Sequence, residues 1–70
     1  MTAKEKILKT LGEKIKDIRI KKGLTQLELA AIIRKDQQSI QRLEKGKVNP
    51  SYYYLLEVAE GLEIDIKELL

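Results

Sequence analysis

Seventy residues without a cysteine or a histidine leave a narrow set of chemistries. Disulfides, Cys/His zinc sites, thiol nucleophiles and imidazole bases are excluded, and no apolar run approaches the roughly 18 residues that span a membrane. The net charge of +3 is unevenly spread: residues 1–47 carry thirteen Lys and Arg against six Asp and Glu, a balance of +7, while residues 48–70 carry Lys67 against five acids, a balance of −4. A basic portion joined to an acidic end suits a polyanion-binding face with a separate partner face, although a lysine-rich solvated surface accounts for the charge alone equally well. A chain of this length makes one domain, residues 1–70, whose small core supplies about 3–5 kcal/mol and which dimerisation would usefully supplement. The expectation is a soluble, cytoplasmic protein that is not an enzyme and uses no cofactor, metal or small-molecule ligand.

Helical spacing dominates throughout, and no run of β-branched residues alternates as a strand would. Ile7, Leu8, Leu11, Ile15 and Ile18 line one stripe of a first helix over about residues 3–22. Thr2 with Glu5 marks its start and Gly23 its stop, while Gly12 leaves open a break within it. Thr25 followed by Glu28 is a second capping box, opening a helix with Leu27, Leu29, Ala30, Ile32 and Ile33. Asp36 caps a third helix from Gln37 to Gly46. Ser51 caps a fourth, with Tyr52, Leu55, Leu56 and Ala59 on one face and Gly61 as its stop. Asp65 caps a short last helix containing Ile66, Leu69 and Leu70. The fold class is therefore all-α, a compact five-helix bundle.

The third helix is the informative one. At about 100° per residue, Gln37, Gln38, Gln41, Arg42 and Lys45 share one arc, while Ser39, Ile40, Leu43 and Glu44 share the other. Glutamine pairs bidentately with adenine and arginine with guanine, and a single helix fits the major groove. An ordinary surface helix is the plain alternative, although such helices are usually richer in Glu and Lys. Small Ala30 allows a close crossing with the preceding helix, against which Ile40 packs.

Residues 12–30, residues 39–51 and the stretch at 55–62 resemble, in order and spacing, the Cro/cI-type (XRE) helix-turn-helix family, and Gln37–Ile40 resembles the recognition helix of lambdoid phage repressors. The resemblance covers about residues 10–70, with residues 1–9 as an N-terminal extension of the first helix. It implies a lambda-repressor-like bundle whose second and third helices form the helix-turn-helix. It further implies a transcriptional regulator of double-stranded DNA, most often a repressor. The small core and the apolar, acidic C-terminal end (Ile64, Ile66, Leu69 and Leu70) predict a symmetric homodimer joined through the C-terminal helix, and hence a palindromic operator. On the matching positions, Gln37, Gln38, Gln41 and Arg42 would touch bases. Gln26 would bond a phosphate and brace Gln37. Lys45, Lys47 and Asn49 would touch phosphates, and Arg19 and Glu44 would form a shielded ion pair. Arg34, which has no counterpart in the family, is a further candidate for phosphate through its own charge. A restriction–modification controller or an antitoxin of the same fold is an alternative. A protein-interaction module is another, which an acidic or apolar outward face on the third helix would favour.

Two positions depart from the family pattern: Arg34 stands where glycine is usual and Lys35 where an aliphatic residue is usual, so a remodelled turn is expected there. Among the three aromatics, Tyr52 is expected half in the core, and Tyr53 or Tyr54 is a candidate for a phosphate contact through its hydroxyl.

Overall fold

Every helix of this chain begins on a side-chain oxygen and ends on a residue with positive φ. The computed structural model describes residues 1–70 and contains α1 (Ala3–Lys21), α2 (Gln26–Ile32), α3 (Gln37–Glu44) and α4 (Tyr52–Gly61), with no strand. At the starts, Thr2, Thr25, Asp36 and Ser51 each accept a hydrogen bond from the amide three residues on, at 2.7–3.1 Å, satisfying a donor that the helix itself cannot. At the ends, Gly23, Arg34, Gly46 and Glu63 take φ of 76°, 60°, 71° and 57°. The following amides of Leu24, Lys35, Lys47 and Ile64 reach back five residues to a carbonyl of the last turn, at 2.8–3.1 Å. This exit turns the chain sharply and keeps the connections short.

The structure corrects the five-helix expectation to four α-helices and one 3₁₀ turn, Ile66–Glu68. Asp65 does cap that turn, accepting from the Lys67 amide at 3.0 Å. The backbone bonds then close three residues apart rather than four, Leu69 to Ile66 and Leu70 to Lys67. The tighter winding turns Leu69 into the core, where it is 3 % exposed.

Each element contributes to one core: Ile15 from α1, Leu29 and Ala30 from α2, Ile40 and Leu43 from α3, Leu55, Val58 and Ala59 from α4, then Leu62 and Leu69. Ile7, expected on the apolar stripe of α1, lies exposed instead, on the rim of an open recess that it lines with Leu11, Leu69 and Leu70. Tyr52 is likewise corrected. It is 61 % exposed, because the buried face of α4 centres on Val58 and Leu62, about 100° around the helix from it. Tyr54 packs against the core in its place. No helix is long and apolar enough to cross a membrane.

Two glycines serve a purpose other than the one their spacing suggests. α1 runs unbroken through Gly12, and a Cβ there would collide with the backbone carbonyls of Leu43 and Glu44 at the end of α3. Gly61 does not stop α4; it is the last helical residue, and a Cβ on it would lie 2.5 Å from Ile33 Cγ2. The left-handed exit falls two residues later, at Glu63.

Arg34 keeps the left-handed conformation that the family's glycine would have, so the backbone path of the turn is not remodelled at that residue. Lys35 is accommodated too: its ammonium lies 3.4 Å from Glu57 and 5.6 Å from the centre of the Tyr54 ring, tying the turn to α4.

These positions give opposite expectations in urea denaturation. Gly12→Ala improves helix propensity by about 1 kcal/mol, yet it forces α1 and α3 apart and should destabilise by about 1–3 kcal/mol net. Arg34→Gly relieves a non-glycine residue of left-handed backbone and should stabilise by up to about 1 kcal/mol. A Gly12→Ala variant more stable than the parent would refute the tight α1–α3 approach.

Candidate nucleic-acid interface

α3 is held by few side chains. Ile40, Leu43 and Glu44 are buried, whereas Gln37, Gln38, Arg42 and Lys45 are exposed and Gln41 is half-buried along its rim. The Asp36 cap fixes where this outward face begins. Its carboxylate accepts from the Ser39 amide at 2.7 Å, and that bond holds its pKa below the usual carboxylate range.

Glu44, the last residue of α3, meets Arg19 of α1 in a shielded pair. Arg19 Nε donates to Glu44 Oε2 at 2.6 Å and Nη2 to Oε1 at 3.1 Å, with the two side chains 8 % and 2 % exposed. The remaining Arg19 nitrogen, Nη1, donates to the Leu24 carbonyl at 2.6 Å, which fixes the entry to α2. Glu44 Oε1 also accepts from Gln26 Nε2 at 3.0 Å, and Gln26 Oε1 accepts from Gln37 Nε2 at 3.3 Å. One continuous chain of hydrogen bonds thus runs Arg19–Glu44–Gln26–Gln37, from the interior to the first outward residue of α3.

Lys45, Lys47 and Asn49 lie exposed beyond the end of α3. Lys45 and Lys47 share a broad recess with Lys9 and Lys16 of α1, with Glu5, Glu13 and Glu44 also in its lining. The sequence reading missed those two lysines. Their spacing of seven, which places both on one helical face, is the signal that would have found them. Arg34 lies apart, lining a recess with Glu57 and Glu60 of α4.

Neither tyrosine offered for phosphate contact is well placed for it. The Tyr54 hydroxyl is enclosed and without a hydrogen-bond partner. Burial, then the nearby charges of Asp36 and Glu57, push its pKa up. Tyr53 is exposed, but it lines an acidic recess with Leu56, Glu57, Glu60, Ile64 and Ile66.

A capped helix, a left-handed turn and a second helix with a polar outward face are the parts of a helix-turn-helix, and the model of the helix-turn-helix family matches residues 15–69. The chain belongs to that family, in its XRE branch. It is 37 % identical over 62 residues to the HTH-type transcriptional regulator y4dJ of Sinorhizobium fredii, covering 89 % of this chain and 80 % of that one. It is 38 % identical over 56 residues to an HTH-type transcriptional regulator of Archaeoglobus fulgidus, covering 80 % of each. Among solved structures it is similar to the restriction-modification controller protein C.AhdI from Aeromonas hydrophila. That likeness has a TM-score of 0.93 and 29 % identity, over 99 % of this helix-turn-helix chain and all of that one. The clp gene regulator ClgR of Corynebacterium glutamicum is similar over 90 % of this chain and 82 % of that one, with a TM-score of 0.86 and 27 % identity.

Removing one member of a buried pair strands its partner, so Glu44→Gln should destabilise this helix-turn-helix protein by about 3 kcal/mol. Glu57→Gln, which breaks only the partly solvated Lys35 pair, should cost about 0–1 kcal/mol. Equal urea midpoints for the two variants would reduce Arg19–Glu44 to a surface contact.

Proposed function

We propose that this DNA-binding transcriptional regulator represses from a palindromic operator, binding as a homodimer with one α3 in each of two successive major grooves. The observation that carries this reading is the outward face of α3. Gln37, Gln38 and Arg42 are solvent-facing residues able to read base edges, on a helix whose other face is locked by Ile40 and Leu43. Gln41, on the rim of that face, would make an additional base contact. Gln26, Lys45, Lys47 and Asn49 would hold the phosphates on either side. A part for Arg34 in phosphate binding rests only on its exposed charge at the turn between α2 and α3. The likeness to C.AhdI, over the full length of that chain, favours a restriction–modification controller as the cellular setting. The outward face of α3 is neither acidic nor apolar, which disfavours the protein-interaction alternative.

Selection of bound sites from random duplex DNA tests the reading directly. On a selected site, Gln37→Ala should lose about 1–3 kcal/mol of affinity and leave binding to random duplex nearly unchanged. Lys47→Ala should weaken all sequences alike and lower the salt slope by about one. Equal losses on specific and random DNA for Gln37→Ala would eliminate base reading by that residue.

The dimer would join through α4 and the 3₁₀ turn. There Tyr53 and Leu56 stand exposed beside half-buried Ile64 and Ile66, with Glu57 and Glu60 at the margin, in a surface of opposite charge to the DNA-facing side. Leu69 is no part of this surface, being already used in the core. A protomer of 32 × 24 × 22 Å with a single recognition helix can engage two grooves about 34 Å apart only by pairing. Sedimentation at tens of micromolar should give twice the chain mass, falling to the monomer in Leu56→Glu. A monomer in both, with and without DNA, would reject the dimer.

A further inference from the structure

Hydrogen bonds have a direction, and the chain from Glu44 to Gln37 is anchored at a group that can only accept. We infer that the buried Arg19–Glu44 pair sets which base Gln37 prefers, by fixing the orientation of the Gln26 and Gln37 amides. The inference rests on the proposed reading that Gln37 contacts a base, and it adds two positioning residues that do not themselves reach DNA.

A carboxylate has no proton to give, so the side chain that meets Glu44 Oε1 at 3.0 Å must present an N–H. Gln26 therefore turns its amino end inward and its carbonyl outward. Gln37, 3.3 Å from that carbonyl, must in turn present its own amino group to it. One Gln37 N–H is thereby used. The other N–H and the carbonyl oxygen are left free, one donor beside one acceptor. Adenine offers the matching pair in the major groove, an N7 acceptor beside an N6 donor, whereas guanine offers two acceptors, N7 and O6. With this polarity, guanine would set an acceptor against the Gln37 carbonyl.

The inference specifies what reversing the anchor does. In Glu44→Gln the new amide can keep only one of its two Arg19 bonds. It keeps its carbonyl on Arg19 Nε, the closer contact at 2.6 Å, gives up the 3.1 Å bond from Nη2, and presents its amino group to Gln26. Gln26 must then answer with its carbonyl and offer its amino group to Gln37, which answers with its own carbonyl. Both Gln37 N–H groups are freed, the pattern that suits the two acceptors of guanine. A buried substitution remote from the groove thus changes a base preference without altering any side chain on the outward face.

The test uses the full chain and the site selected for the parent, synthesised with each of the four base pairs at every position. Binding is measured for the parent, Glu44→Gln, Gln26→Leu and Gln37→Ala. The readout is the ratio of affinities for adenine and guanine at a single position. It does not depend on the folded fraction, so destabilisation of Glu44→Gln leaves it interpretable. Gln26→Leu cuts the chain while leaving the Arg19–Glu44 pair intact.

The parent should prefer adenine at one position, where Gln37→Ala abolishes the preference. At that position alone, Glu44→Gln should lower the adenine-over-guanine ratio by roughly tenfold, and Gln26→Leu should move it toward one. A parental ratio in both Glu44→Gln and Gln26→Leu, with the preference lost in Gln37→Ala, would overturn the inference while leaving base reading standing. A ratio unchanged in Gln37→Ala at every position would overturn both.

Discussion

A charged carboxylate cannot be buried in a small helical domain unless its oxygens are fully occupied, and the fold is arranged around meeting that demand for Glu44. Arg19 supplies two donors in a fixed fork, and Gln26 supplies a third. Because these groups come from α1, the start of α2 and the end of α3, satisfying one carboxylate locks three helices in mutual register. The remaining Arg19 nitrogen takes the Leu24 carbonyl, so the chain entering α2 is positioned by the same guanidinium. Gly12 lets α1 come close enough for this, since any side chain there would collide with the last carbonyls of α3.

Around this centre, the helix termini set where the chain turns. Side-chain caps define the first residue of each helix, and left-handed exits define the last. The segment between α2 and α3 is consequently short and its angle determined. At this turn the left-handed exit falls on Arg34, a residue unsuited to it, and Lys35 compensates by anchoring to Glu57 and the Tyr54 ring. The turn is thus supported from α4.

Helix starts were legible in the sequence because capping is local: a Thr, Asp or Ser and the residue three positions on carry the whole signal. The two faces of α3 were legible for a similar reason, since eight residues hold the complete pattern. Glycines were not, because one residue type answers two demands. Gly61 reads as a stop and Gly12 as a break, but both are present because another element passes too close for a Cβ, which depends on tertiary packing. The C-terminal turn failed in the same way. Asp65 signals a start without revealing that the winding will tighten to carry Leu69 inward. Tyr52 and Tyr54 exchanged their expected places because the neighbouring elements, not the spacing within α4, decide which way its buried face turns, and it turns toward Tyr54. Arg19 and Glu44, 25 residues apart, were paired only through the family resemblance. The resemblance also implies the brace between Gln26 and Gln37. The link from Glu44 to Gln26, and with it the polarity of the chain, required coordinates, because the direction of a hydrogen bond is not encoded by residue spacing.

The shallow anchoring of α3 has an evolutionary consequence. Only Ile40, Leu43 and Glu44 of its eight residues are buried, so substitutions at Gln38 or Arg42 remove little packing and leave the fold nearly as stable as before. Recognition can drift at those positions without passing through unfolded intermediates, whereas a change at Gln37 must suit Gln26 behind it. A lineage built on this scaffold would therefore explore new targets readily at some base pairs and hold others nearly constant. Its repertoire of binding sites would diversify unevenly along the half-site.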